Sequence, residues 1–230
     1  MPVPAVAYVA EKMGLPGIGY ECAMRITNKL SGREHCRKLG FPIPAFAKTH
    51  NLEEAKAAAR GIGFPLVVKP TDSMAARGIS KVNDWDELPE KYHDALSSST
   101  SGVVLLEQFF CGRKIGLVGF VCGSQFWNLI IVDHDHFDVP DKFIVRQVLT
   151  PSSIDEKLRS KLWDFHNNLF ESFGPRFGFT YSEIRINEEN GEFCLMEPAI
   201  RGPAGFVSSH LVPLSCGVDF LPLLIEIATG

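Results

Sequence analysis

The side chains most capable of chemistry in this sequence are two glutamates, Glu183 and Glu197, on either side of Glu189-Asn190-Gly191. That tripeptide suits a three-residue hairpin loop with glycine in the left-handed position, so the register of the flanking strands can be counted. If Glu188 faces Glu192, then Ile186 faces Cys194, Ile184 faces Met196, and Glu183 lands opposite Glu197 on the other face. One face is then apolar, as a core requires. Two carboxylates roughly 5 Å apart repel by about 3 kcal/mol at an effective dielectric of 20, which calls for compensation in a marginally stable fold. A divalent cation would supply it, since Mg2+ takes one or two carboxylates and completes its shell with phosphate and water. A register slip that leaves both acids solvated on an edge is the competing reading.

A second concentration of chemistry lies upstream. Lys69 closes the apolar run Leu66-Val67-Val68-Lys69-Pro70, and the small residues of Thr71 to Gly78 follow, with Arg77 as their basic side chain. An ammonium at a strand end beside such a loop can hold and cover phosphates, although most strand-end lysines are merely solvated. No Gly-x-x-x-x-Gly-Lys-Ser/Thr P-loop occurs. Asp133-His134-Asp135-His136-Phe137-Asp138 alternates metal-ligand residue types, but a solvated loop between strands is the stronger reading. Arg33, His35, Arg37 and Lys38 form a basic helical end that ordinary dipole compensation explains, so they receive no site. Phe109 and Phe110, in an apolar stretch, read by default as core.

The elements that must position these groups follow from periodicity and capping. Ala5 to Met13 reads as a short helix without an obvious layer to pack against, and Ile26 to Leu39 as a longer one stopped by Gly40. Asn51 with Glu54 marks the start of an alanine-rich helix running to Arg60. Phe64 to Lys69, Ile79 to Val82 and Val103 to Leu106 read as strands, with a helix beginning between Asp84 and Asp86. Further on, Leu117 to Cys122, Phe126 to Val132 and Phe143 to Leu149 suggest antiparallel strands. Ser153-Ile154-Asp155-Glu156 reads as a capping box for a helix whose Leu158, Leu162, Phe165, Leu169 and Phe173 should cover the second sheet.

With 230 residues and 45% apolar content, the chain can bury a core and is too polar to live in lipid. A net charge of -4 favours neither nucleic acid nor an anionic membrane surface. The six cysteines lack any Cys-x-x-Cys spacing and read as reduced, buried thiols. No basic flank with a long apolar run opens the chain and no 18-residue apolar segment occurs, so a cytosolic setting is the default expectation.

Taken in order, these motifs resemble the ATP-grasp enzymes, which include biotin carboxylase, carbamoyl phosphate synthetase and D-alanyl-D-alanine ligase, and the resemblance runs nearly end to end. It implies an α+β ATP-grasp fold of two lobes, each with a mainly antiparallel sheet and helices, with the nucleotide between them. The implied division is 1–29 as a remnant or linker from a preceding domain, 30–106 as the small lid lobe, and 107–230 as the large lobe with the metal acids. Asn28-Lys29 looks like the first phosphate lysine, Lys69 like the second, and Ser73 to Gly78 like the phosphate-covering loop, which brings in Ser73, Arg77 and Gly78. Leu105 to Phe110 resembles the hinge that contacts adenine, with Glu107, Gln108, Phe109 and Phe110. Lys114 follows as a further nucleotide contact, Glu183 and Glu197 match the metal acids, and Arg201 matches a phosphate-contacting base.

The resemblance implies ATP and Mg2+ as cofactors, with Mn2+ as an alternative ion. In the implied chemistry ATP phosphorylates a carboxylate, and an amine or thiol attacks the acyl phosphate, with Arg201 and Lys69 as the catalytic cations. The implied partners are ATP and small-molecule carboxylate and amine substrates, without nucleic acid or membrane, and a homodimer is compatible with the pattern. Three positions depart from it: Ala199 stands where an asparagine is usual, and Lys114 and Val118 stand where acids are common. Val3 to Gly17 resembles only the last helix and exit of a preceding domain, so truncation is expected there and after Gly230. Two readings follow, an ADP-forming ligase module and a catalytically inactive nucleotide-binding or interaction module of the same fold.

Overall fold

The computed structural model describes residues 2–73, 76–137, 139 and 143–229, and the chain separates into two compact units. One comprises Asn28–Cys111 and His136–Arg146; the other comprises Met1–Thr27, Gly112–Asp135 and Gln147–Gly230. The chain opens with α1 (Pro2–Lys12) and α2 (Tyr20–Thr27), which pack on each other and bury Ala7, Cys22, Ala23 and Ile26. Here the expectation of one helix from Ile26 to Leu39 is corrected. The chain breaks at Asn28, whose extended backbone and side-chain bond from Ser31 N at 3.0 Å cap a new helix, α3 (Lys29–Lys38). A short polar side chain competing for helix amides therefore puts Lys29 in a first turn.

The first unit continues through β1 (Phe46–Thr49), α4 (Leu52–Ile62), β2 (Leu66–Pro70), β3 (Ser80–Val82), α5 (Leu88–Ser97) and β4 (Val104–Gln108). Asn51 caps α4 as its sequence indicates, with Oδ1 accepting from Glu54 N at 2.9 Å while Glu54 accepts from His50 N. Helix α5 begins later than expected because Asp84 takes the amides of Asp86 and Glu87 in a turn, and regular helix starts at Leu88. The strands form an antiparallel sheet in the order β1-β4-β2-β3. Strand alternation turns Leu66, Val68, Val104 and Leu106 toward Ala55 and Ala59 of α4 and Leu88, Tyr92 and Ala95 of α5, forming a dry core. The same alternation forces Lys69, Leu105 and Glu107 onto the opposite face.

In the second unit, β5 (Arg113–Cys122), β6 (Gln125–His136) up to Asp135, β7 (Val145–Leu149) from Gln147, α6 (Glu156–Phe173), β8 (Phe177–Ile186) and β9 (Phe193–Ala199) precede a π-helical turn at Val207–Leu211, α7 (Val212–Cys216) and α8 (Phe220–Thr229). The sheet order is β7-β6-β5-β8-β9, with β5 antiparallel to both β6 and β8. Helix α6 buries Leu162, Phe165, Leu169 and Phe173 as its periodicity predicts, and Gly174 in the left-handed region ends it. Its cap is Asp155, which accepts from Leu158 N at 2.8 Å, not Ser153 as expected. The Ser153 amide and hydroxyl are instead taken by Asp133, 20 residues away.

A polar bridge lies between α6 and the sheet. His166 is fully buried, with Nδ1 2.8 Å from Ser182 Oγ and Nε2 2.9 Å from Thr180 Oγ1, both on β8. Burial pushes its imidazole pKa down to about 3, so the ring is neutral. The cysteines form no disulfides; Cys22, Cys36 and Cys194 are buried as expected, whereas Cys111 and Cys122 are exposed. Among the described residues no single helix is long and apolar enough to cross a membrane.

Candidate functional site

The hairpin register reaches the expected carboxylate pair by an unexpected route. Ile186 pairs with Phe193 and Ile184 with Leu195, one residue out of step with the sequence count, because the loop between Asn187 and Glu192 holds four residues and not three. Gly191 does take the left-handed conformation, with φ 69°. A β-bulge between Glu183 and Ile184 then restores the register, and Glu183 pairs with Glu197. A slip at the loop alone would have sent one acid to each face. The bulge places them together.

Around that pair the sheet supplies its own cations. Gly116 lies opposite Glu183 on β5, and Lys114, two residues earlier on the same face, puts Nζ 2.7 Å from Glu183 Oε2. The Tyr181 hydroxyl lies 3.5 Å from Glu183 Oε1 and 3.3 Å from His134 Nε2, His134 being the β6 partner of Lys114. Burial alone would raise the Glu183 pKa, but Lys114, His134 and Arg201 together outweigh it and lower it, so the group is a carboxylate. Burial and the neighbouring Glu183 hold the Tyr181 phenol well above its ordinary range, so it stays protonated. Arg201 is exposed and its guanidinium also donates to Gly202 O at 3.2 Å.

This face has no room for an added methyl at Gly116. A Cβ there would come within 2.7 Å of Tyr181 Cε2 and 2.8 Å of its hydroxyl. Gly116→Ala is therefore expected to displace Tyr181 and lower stability by about 1–3 kcal/mol, seen as an earlier urea midpoint.

In the first unit a buried triad has formed. Glu107 is 4% exposed; Arg33 Nε lies 2.6 Å from its Oε1, and Lys69 Nζ lies 2.7 Å from its Oε2. Burial by itself would raise the Glu107 pKa, but the two cations carry it down to about 2. Lys29 sits nearby in sequence space on α3, with its ammonium 2.7 Å from Ser73 O and its amide 3.0 Å from Thr71 O, so helix and loop are tied together. Asp72 anchors the same loop by accepting from Thr100 N and Ser101 N. Ser73 is buried, Arg77 is exposed and Gly78 has φ 68°, while Met74 and Ala75 lie outside the described residues. Gln108 N and Phe109 N donate to Ala45 O and Pro65 O, Phe109 stacks on Phe143, and the Lys81 ammonium sits 4.7 Å over its ring. Phe110 is half-buried.

The structure thus brings Lys69 and Glu107 together in one unit, and Lys114, Glu183 and Glu197 in the other. Arg33 and His134 were weighed from sequence and given no site, and Tyr181 was not singled out. Arg33 lies four residues after Lys29 on α3, a spacing that puts both on one helix face and offered a usable signal. Asp133 and Asp135 serve contacts within the protein, accepting from Ser152 and Gln147, and Asp138 lies outside the described residues. Two half-buried carboxylates on paired strands suit a hard cation that draws its remaining oxygens from phosphate and water. No group of three or more His, Cys, Asp or Glu able to hold a metal ion occurs among the described residues.

Comparison with known proteins adds the lineage. A family model described as "Carbamoyl-phosphate synthase L chain, ATP binding domain" matches residues 28–230. A D-alanine--D-alanine ligase of Pseudomonas entomophila is 27% identical over 226 residues, covering 94% of this chain and 69% of that protein. Among solved structures, an L-amino acid ligase from Bacillus licheniformis superposes with TM-score 0.79 at 23% identity, over 98% of this chain and 53% of that one. A biotin carboxylase–β,γ-ATP complex from Campylobacter jejuni superposes with TM-score 0.83 at 18% identity, over 99% of this chain and 52% of that one. The chain therefore spans about half the length of these solved proteins.

Proposed function

Because the chain belongs to the carbamoyl-phosphate synthase L chain ATP-binding domain family and has the ATP-grasp fold, we propose that it binds Mg-ATP as the nucleotide module of an ADP-forming carboxylate-amine or carboxylate-thiol ligase. The observation that carries this reading is the Glu183–Glu197 pair set side by side by the β-bulge. Those two acids would hold the magnesium ion, which when bound supplies charge neutralisation at the phosphates. Lys29 and Lys69 would serve as phosphate-binding cations, a role supported by the Glu107 carboxylate that holds the Lys69 ammonium in position. Arg201 offers a further guanidinium for developing phosphoryl charge, and the loop bearing Ser73, Arg77 and Gly78 covers the phosphates. Gln108, Phe109 and Phe110 border the adenine, and the acyl acceptor is a small-molecule carboxylate that passes through an acyl phosphate to an amine or thiol.

Calorimetry with ATP and MgCl2 tests the binding reading. Glu183→Ala and Glu197→Ala are each expected to weaken magnesium-linked ATP affinity by about 100-fold, at the upper end of what loss of a supporting group costs a metal site. Asp135→Ala, whose carboxylate accepts from Gln147, is expected to leave it unchanged. Equal losses from all three would sink the assignment. A second reading, a catalytically silent nucleotide-binding module, is favoured by Ala199 beside the acid pair and by the Lys114–Glu183 ion pair. Magnesium-dependent ADP release across a panel of carboxylates and amines separates the two.

A further inference from the structure

One acid of the pair already carries a counter-ion before any metal arrives. Glu183 and Glu197 contribute two negative charges; Lys114 Nζ sits 2.7 Å from Glu183 Oε2, and Arg201 is close enough to act electrostatically on Glu183 and Tyr181. The Lys114 side chain is 14% exposed and that of Glu183 is 27% exposed, so their attraction is less screened than at an open surface. A bare divalent cation would enter beside a fixed ammonium that repels it. A metal already carried by a polyphosphate brings the compensating negative charge with it, and it gives the Lys114 ammonium, a point charge on a flexible stem, a new anion to meet.

Resting on the Mg-ATP reading above, we propose that Lys114 makes the Glu183–Glu197 pair a conditional metal site, closed to free divalent cations and open to a metal–polyphosphate complex. Lys114 is then a specificity-determining residue: it sets the form in which the ion is admitted. A merely structural role for the ion pair makes a different prediction, namely a change in stability upon its removal and no change in metal affinity.

The test uses Mn2+ as a spectroscopic probe, its free signal followed by electron paramagnetic resonance during titration of the whole chain without nucleotide. Wild type is expected to leave Mn2+ largely free, and Lys114→Met to bind it tighter by roughly tenfold or more, the order expected when one unit charge near a cation is removed at intermediate dielectric. Lys114→Arg keeps the charge and is expected to behave as wild type. Lys114→Gln repeats the loss of charge should the methionine variant fold poorly, and adding Glu183→Gln to either is expected to abolish the gain. With a non-hydrolysable ATP analogue present, wild type is expected to take up Mn2+. Wild type binding free Mn2+ as tightly as Lys114→Met would overturn the proposal and leave Mg-ATP binding standing, whereas no uptake with the nucleotide analogue would overturn both.

Discussion

Glu107→Ala is expected to lower the unfolding free energy by roughly 3–5 kcal/mol, the cost of removing one partner from a buried ion pair. The size follows from what is left behind: the Arg33 guanidinium and Lys69 ammonium, held 2.6 Å and 2.7 Å from the missing carboxylate, lose the anion they share in a site only 4% exposed. Chemical denaturation reads this directly as a lower midpoint. Two companions identify the cause. Glu107→Gln keeps the shape and removes the charge, so most of the loss should persist, and a loss confined to the alanine variant would point to a cavity instead. Replacing Arg33, Lys69 and Glu107 together by apolar residues of similar volume should recover part of it, since an apolar cluster tolerates burial that a lone cation does not. Because Lys69 is also proposed as a phosphate-binding cation, the folded fraction of Glu107→Gln is expected to show weaker ATP affinity.

Acidification from neutral pH to about pH 4 is expected to destabilise the second unit by about 3 kcal/mol through His166 alone, at 1.36 kcal/mol per pH unit below the unfolded pKa. The sign follows from burial. In the folded protein the His166 pKa is pushed down to about 3, against 6.5 for the exposed ring. Between those values the unfolded chain binds a proton that the native one refuses, so stability rises with pH across that window and is fully present above it. Glu107 adds a second slope, because its folded pKa of about 2 lies below its ordinary 4.5, and its contribution is lost as pH falls through that lower range. Urea titrations over a pH series check both. His166→Gln keeps a donor and an acceptor for Ser182 and Thr180 without titrating, so its stability should be lower at neutral pH but flatter with acid. An unchanged slope in that variant would assign the acid sensitivity elsewhere.

Much of this architecture was legible from local chemistry. The Asn51 cap, the α6 stripe of Leu162, Phe165, Leu169 and Phe173, the left-handed Gly191 and the apolar runs of β2 and β5 each depend on residues within a turn or a strand of one another. Interactions that close within four residues leave their signature in adjacent letters. The ATP-grasp family was legible for a related reason, since its motifs follow in a fixed order along the chain. Local reading failed where two short-range options compete, as at Asn28, which caps a new helix, and where a distant partner intervenes, as at Ser153, whose groups Asp133 takes from 20 residues away.

Which charge meets which was decided by tertiary structure alone. Arg33 and Glu107 are 74 residues apart, and Lys114 reaches Glu183 only because β5 lies beside β8 in the sheet. The sequence by itself determined that two acids flank a hairpin and that lysines end or begin their elements. It did not determine that a bulge would cancel a one-residue slip, or that an ammonium would already occupy one of those acids, because strand neighbours and bulges minimise the energy of a whole sheet and carry no obligatory mark at any one position.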